Sequence, residues 1–119
     1  MRARRRLVTS VAAVALSLSL AVPAIAAADY GAIAINRATG AWGVSYNRPS
    51  VHNAERGARA HCRGYCHVMV WVRNRCAAVV ETQTRFVAGI GTTRSRAVRS
   101  ARHRAGDHFA RRVAWVCSG

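Results

Sequence analysis

The chain has 119 residues, with 19 arginines, no lysine, four acidic residues and a formal net charge of +15. So basic a balance favours anionic partners and raises association rates with them. Four cysteines in so short a chain point to disulfide staples rather than a large, self-sufficient core.

The chain opens with Arg2, Arg4, Arg5 and Arg6. Leu7 to Val22 is apolar and uncharged, and Pro23 is followed by small residues. This pattern predicts a secretory signal peptide over residues 1–28, cleaved after Ala26 or Ala28. The apolar run falls short of the roughly 20 residues of a spanning helix. Residues 29–119 are expected to form a single small domain. Setting aside the four leading arginines leaves 15 against Asp29, Glu55, Glu81 and Asp107, a net of +11. The exclusive use of arginine is read as base composition rather than selection for guanidinium chemistry. A domain of this size buries about 60–65% of its unfolded surface, so it is marginal without cross-links. An even number of cysteines in an exported chain supplies them.

Tyr30 to Asn36 is short and apolar and reads as a strand. Arg37 to Gly40 is a turn, with Gly40 suited to positive φ. Ala41 to Tyr46 alternates, with Trp42, Val44 and Tyr46 on one face, and completes a hairpin. Pro49 ends the strand, and Ser50 is a good N-cap. Ala54, Ala58 and Cys62 then recur at every fourth position, a narrow helix face able to lie close against a sheet. His67 to Arg73 is a strand, apolar on both faces, and is expected to be central and doubly covered. Asn74 to Cys76 is a turn.

The plan then repeats. Ala77 to Thr82 and Phe86 to Gly91 are strands around a turn at Gln83 to Arg85. Thr93 stands where Ser50 stood, and Ala97, Ala101 and Ala105 match Ala54, Ala58 and Cys62. Gly106 suits the residue after a helix. Arg112 to Cys117 is the last strand, with Trp115 matching Trp71. The reading is an α+β domain of two ββαβ repeats, about 30–75 and 76–119, against the alternative of chance similarity between two Ala-rich helices. A mostly antiparallel sheet with both helices on one face is expected.

The run YGAIA, TGAWGVSYN, PS, an Ala-rich helix ending at Cys62, then Cys66, VMVWVRN, Cys76 and a closing AWVCS resembles the family of small exported bacterial proteins catalogued as domain of unknown function 4189. The resemblance spans Tyr30 to Ser118. It implies export and a disulfide-stapled fold, but no activity and no catalytic residues. Relatives commonly carry a further cysteine pair near the end of the second helix and the start of the last strand, where this chain has Ala105 and Ala110. Four cysteines allow three pairings. Cys62 and Cys66 correspond to Ala105 and Ala110. If partners are lost together, Cys62 pairs with Cys66 and Cys76 with Cys117. The competing reading is a metal site at His61, Cys62, Cys66 and His67. It is disfavoured because exported thiols oxidise and adjacent residues point apart.

No catalytic constellation is found. Ser50 and Thr93 read as caps, His52 with Glu55 as a solvated pair, and Asp107-His108 as a turn. No cofactor or metal is expected. The three tryptophans sit in strand patterns and are expected to pack in the core rather than to form a ligand platform. The functional lead is the basic face of the second helix together with the start of the last strand: Arg96, Arg99, Arg102, Arg104, Arg111 and Arg112. Such a face attracts phosphates or anionic head groups, or simply keeps a small protein soluble. Without interleaved aromatics it does not predict specific nucleic-acid recognition. The expectation is a non-enzymatic, secreted or envelope-located protein that associates with an anionic polymer or membrane surface. The alternative is a secreted protein-interaction module, an inhibitor or effector.

Overall fold

The structure is a computed structural model that describes residues 12–15, 17 and 28–119. The expected signal peptide and its cleavage points lie almost wholly outside the described residues. Among the described residues, no helix is long and apolar enough to cross a membrane.

Eight elements run in order: β1 (Tyr30–Ile35), β2 (Trp42–Arg48), α1 (Val51–Ala60), β3 (His67–Arg73), β4 (Arg75–Glu81), β5 (Phe86–Gly91), α2 (Arg94–Ala105) and β6 (Arg111–Ser118). The α+β class and the repeated ββαβ layout are as expected. The strands form two antiparallel three-stranded sheets, β2-β1-β3 and β5-β4-β6.

The arrangement around the strands differs from the single sheet expected. Each central strand is buried on both faces. Ala32 and Ala34 of β1 pack under α1, while Ile33 and Ile35 point the other way. In β4, Cys76, Ala78 and Val80 pack under α2, while Ala77 and Val79 point the other way. Ile33, Ile35, Val72, Ala77, Val79, Ala114 and Val116 meet in one cluster between the sheets. The layers therefore run helix, sheet, sheet, helix. Had both helices covered one face of a six-stranded sheet, these side chains would have faced water.

β1 and β4 are the central strands, and β3 is an edge strand, not the central one expected. The apolar residues on both sides of β3 arise from a bulge. Ile33 pairs with Val70 and Ala34 with Val68, so Met69 is the extra residue. Val68 joins the cluster under α1, while Met69, Val70 and Val72 join the inter-sheet core. The expected turn at Asn74 to Cys76 shrinks to Asn74, which adopts φ 53°, a conformation asparagine tolerates. The Asp29 carboxylate clamps this corner, accepting from Arg73 Nε at 3.0 Å and Asn74 Nδ2 at 3.1 Å. The hydrogen bond to Asp29 pushes the Arg73 pKa above its ordinary value.

Both helices start where their caps allow. Ser50 Oγ accepts from Asn53 N–H at 3.1 Å, and Thr93 Oγ1 from Arg96 N–H at 3.2 Å. α2 ends at Gly106, at φ 68°. The small stripes bring each helix backbone against an edge strand. A Cβ on Gly43 would collide with Ala58 O and Cys62 N, and one on Gly89 with Ala101 N and Ala97 O.

Cys62 is bonded to Cys66 and Cys76 to Cys117. The first joins the end of α1 to the start of β3. The second joins facing positions of β4 and β6 across 41 residues of chain. Replacing Cys76 and Cys117 with serine is expected to cost about 4 kcal/mol, against about 2 kcal/mol for Cys62 and Cys66. Urea unfolding of the two double variants checks this, and equal losses would contradict it. Gly89→Ala is expected to lower stability by about 1–3 kcal/mol by forcing α2 off the sheet. A urea midpoint equal to that of the parent protein would show that α2 is not seated this closely.

Candidate anion-binding cleft

α2 buries Ala97, Val98 and Ala101 and turns its charged residues outward. Its outer flank and the start of β6 enclose an open cleft of about 710 Å³. The lining is Arg94, Ser95, Val98, Arg99, Arg102, His108 and Arg112. Four guanidinium groups thus converge without a carboxylate in the lining. Arg102 is half-buried and held in place, its Nε donating to Ala110 O at 3.0 Å. Arg94 lies over the Trp115 ring, with Cζ 4.4 Å from the centroid. The side chains of Arg99 and Arg112 form no hydrogen bond or ion pair with the described residues and are exposed.

Arg112 reaches this cleft because of a second bulge. Val79 pairs with Ala114 but Val80 pairs with Arg112, leaving Val113 as the extra residue. Strict alternation from Ala114, which faces the inter-sheet core, would aim Arg112 into the same core. The bulge turns it to the face of Val80, which is the face under α2.

Of the six arginines singled out in the sequence, Arg99, Arg102 and Arg112 meet in the cleft. Arg96 lies beside it, in a shallow depression shared with Arg99, Ser100, His103 and His108. Its guanidinium donates to Thr92 Oγ1 at 2.9 Å. Arg104 turns away and donates to Ala88 O of β5 at 3.1 Å. Arg111 is paired with Glu81 on β4. Arg94 and His108 belong to the cleft but were not among the six. The helical spacing that puts Arg94 on the flank was legible. The return of His108 against α2 after the Gly106 turn was not.

The first repeat differs from the second at the matching end. At an offset of 43 residues, Arg56 and Arg59 of α1 stand where Arg99 and Arg102 stand, but Glu55 stands where Val98 does. Arg59 and Glu55 lie 3.9 Å apart. In the strands, Val68 occupies the position of Arg112 and packs against Cys62 and Cys66. The first repeat is closed by a disulfide and partly charge-balanced. At the matching positions the second has no disulfide, no acid and two more arginines, Arg94 and Arg112 standing where Val51 and Val68 do.

The other sequence candidates have structural roles. Ser50 and Thr93 cap helices. Both thiols of the considered metal site are in a disulfide. His61 Nδ1 lies 2.9 Å from Val44 O, and His67 packs edge-on against Tyr65. Among the described residues, no group of three or more His, Cys, Asp or Glu is placed to hold a metal ion. The tryptophans are not core residues as expected. Trp42, Trp71 and Trp115 are 49%, 47% and 41% exposed. They lie on β2, β3 and β6, all edge strands, beyond which no further strand covers them among the described residues.

No curated protein and no solved structure matched the chain. The family described as "Domain of unknown function (DUF4189)" matches residues 30–117, which span both repeats and the whole cleft. The chain belongs to that family.

Proposed function

We propose that this is an exported, non-enzymatic protein that binds an anionic polymer of the cell envelope or of a host through the cleft between α2 and β6. The observation that carries the reading is the convergence of Arg94, Arg99, Arg102 and Arg112 without a carboxylate among the lining residues. Like charges held together in this way are costly unless an anion neutralises them, and guanidinium forks suit carboxylate and phosphate oxygens. The contrast with the first repeat, where Glu55 sits beside Arg59, also supports a use for the charge beyond solubility. Export rests on the basic and then apolar opening of the chain. Two disulfides fit an oxidising, non-cytoplasmic setting.

A second reading, a protein-interaction module, is favoured by a different surface. Met69, Trp71 and Ile90 line a shallow apolar groove along the opposite edges, with Arg73 and Arg75 at its rim. That reading expects a protein partner whose affinity barely changes with salt.

A salt titration against anionic vesicles, neutral vesicles and soluble polyphosphate separates the two. The anion reading expects binding to anionic targets alone, with a steep log–log dependence on salt. Arg99→Gln with Arg112→Gln is expected to weaken binding about tenfold or more and to flatten that slope by about two. Arg111→Gln, which removes an arginine already paired with Glu81, is expected to have a much smaller effect. An equal loss of binding free energy per charge removed in the two variants would mean that net charge, not the cleft, does the binding.

A further inference from the structure

The cleft does not end at Arg112. That residue also lines an apolar groove of about 650 Å³, with Trp42, Val44 and Tyr46 on β2 and Val113 to Cys117 on β6. Arg94 of the cleft stacks on Trp115 of the groove. Cleft and groove therefore form one surface, cationic at one end and aromatic at the other. β2 and β6 are edge strands of different sheets. They meet where Asn47 N–H donates to Ser118 Oγ at 2.9 Å and Gly119 N–H to Asn47 Oδ1 at 3.4 Å. Away from that junction the groove lies open. Trp42 and Tyr46 share one face of β2, about 13 Å apart along the strand, and Tyr46 is 60% exposed.

Half-exposed indole and phenol rings beside unneutralised guanidinium groups call for a ligand with two properties. It needs anionic groups for the arginines and flat, weakly polar faces for the rings. Polyphosphate or a lipid head group supplies only the first. An acidic peptide supplies carboxylates but no regular series of flat faces. A second copy of this chain, itself strongly basic, is repelled. A chain of acidic sugars supplies both, because the C–H faces of pyranose rings stack on aromatic side chains while their carboxylates meet arginine forks. Single-stranded nucleic acid has the same two properties. The disulfides, however, fit an oxidising, non-cytoplasmic setting, which favours a polymer met outside the cytoplasm over the cell's own nucleic acid.

We infer that the continuous surface is a binding site for an acidic polysaccharide. Trp42, Tyr46 and Trp115 stack sugar rings, and Arg94, Arg99, Arg102 and Arg112 take the carboxylates. This inference rests on the anion-binding reading of the cleft and names its ligand class.

The test uses the disulfide-bonded protein and three probes: a polyuronate oligosaccharide, polyphosphate and oligo-dT. Binding is followed by tryptophan fluorescence and by calorimetry. Trp42→Ala with Tyr46→Ser is expected to weaken polyuronate binding about tenfold or more and to change polyphosphate binding less than about twofold. Retained polyphosphate binding also shows that the variant is folded. Arg99→Gln with Arg112→Gln is expected to weaken both. If the aromatic variant leaves polyuronate binding unchanged, or weakens both polyanions equally, the aromatic subsite is overturned and the anion reading stands. If it selectively weakens oligo-dT instead, the ligand is a nucleic acid and the polysaccharide assignment is overturned. If the parent protein binds none of the three, the anion reading itself falls, and this inference with it.

Discussion

Each sheet carries an apolar face that must be hidden, and the two faces hide each other. Ile33, Ile35 and Val72 on one side meet Ala77, Val79, Ala114 and Val116 on the other, and Ile33, Ile35, Ala77 and Val79 are fully buried. The rest of the structure depends on that contact. Once the inner faces are used, each helix has only the outer face of its own sheet to cover. Alanines in both helix and central strand, with glycines at Gly43 and Gly89, let it sit close. A three-stranded sheet has two edges, so β2, β3, β5 and β6 all lie at a margin of the sandwich. The aromatic residues of those strands stay half in water, where a larger sheet would have buried them.

The two repeats share a scaffold and have parted chemically at one end. Both have a bulge in the last strand, at Met69 and at Val113, at matching positions. In the first copy the residue turned under the helix is Val68, which packs against the Cys62–Cys66 bond. In the second it is Arg112, facing Arg99 and Arg102. A closed, covalently stapled end in one copy thus corresponds to an open, basic end in the other. The long Cys76–Cys117 bond ties facing positions of β4 and β6, so the strand that carries Arg112 stays anchored although its own end lacks a local staple.

Arg111 and Arg112 show how adjacent and chemically identical residues acquire different roles. Arg111 lies opposite Glu81 and pairs with it, while Arg112 lies opposite Val80 and turns to the cleft. Arg104 and Arg99 divide in the same way on α2, one reaching a carbonyl of β5 and the other the open cleft. Charge counted along the sequence therefore overstates what any one site can use. Charge left without an internal partner is what remains for a ligand.

Local features carried most of the secondary structure. Ser50 and Thr93 mark helix starts because their side chains satisfy backbone donors that nothing else reaches. Gly106 marks an end because it alone accepts the left-handed turn there without strain. The every-fourth-residue alanines and the matching tryptophans made the ββαβ repeat legible, since both depend only on spacing along one element. What spacing does not encode is which apolar face meets which. Two sheets rather than one, β1 and β4 rather than β3 at the centres, and exposed rather than buried tryptophans were all decided by the tertiary pairing of inner faces. Membership of the cleft was decided there too. A single bulge residue, Val113, sets the side on which Arg112 emerges, and a bulge is a property of two paired strands, not of either sequence alone.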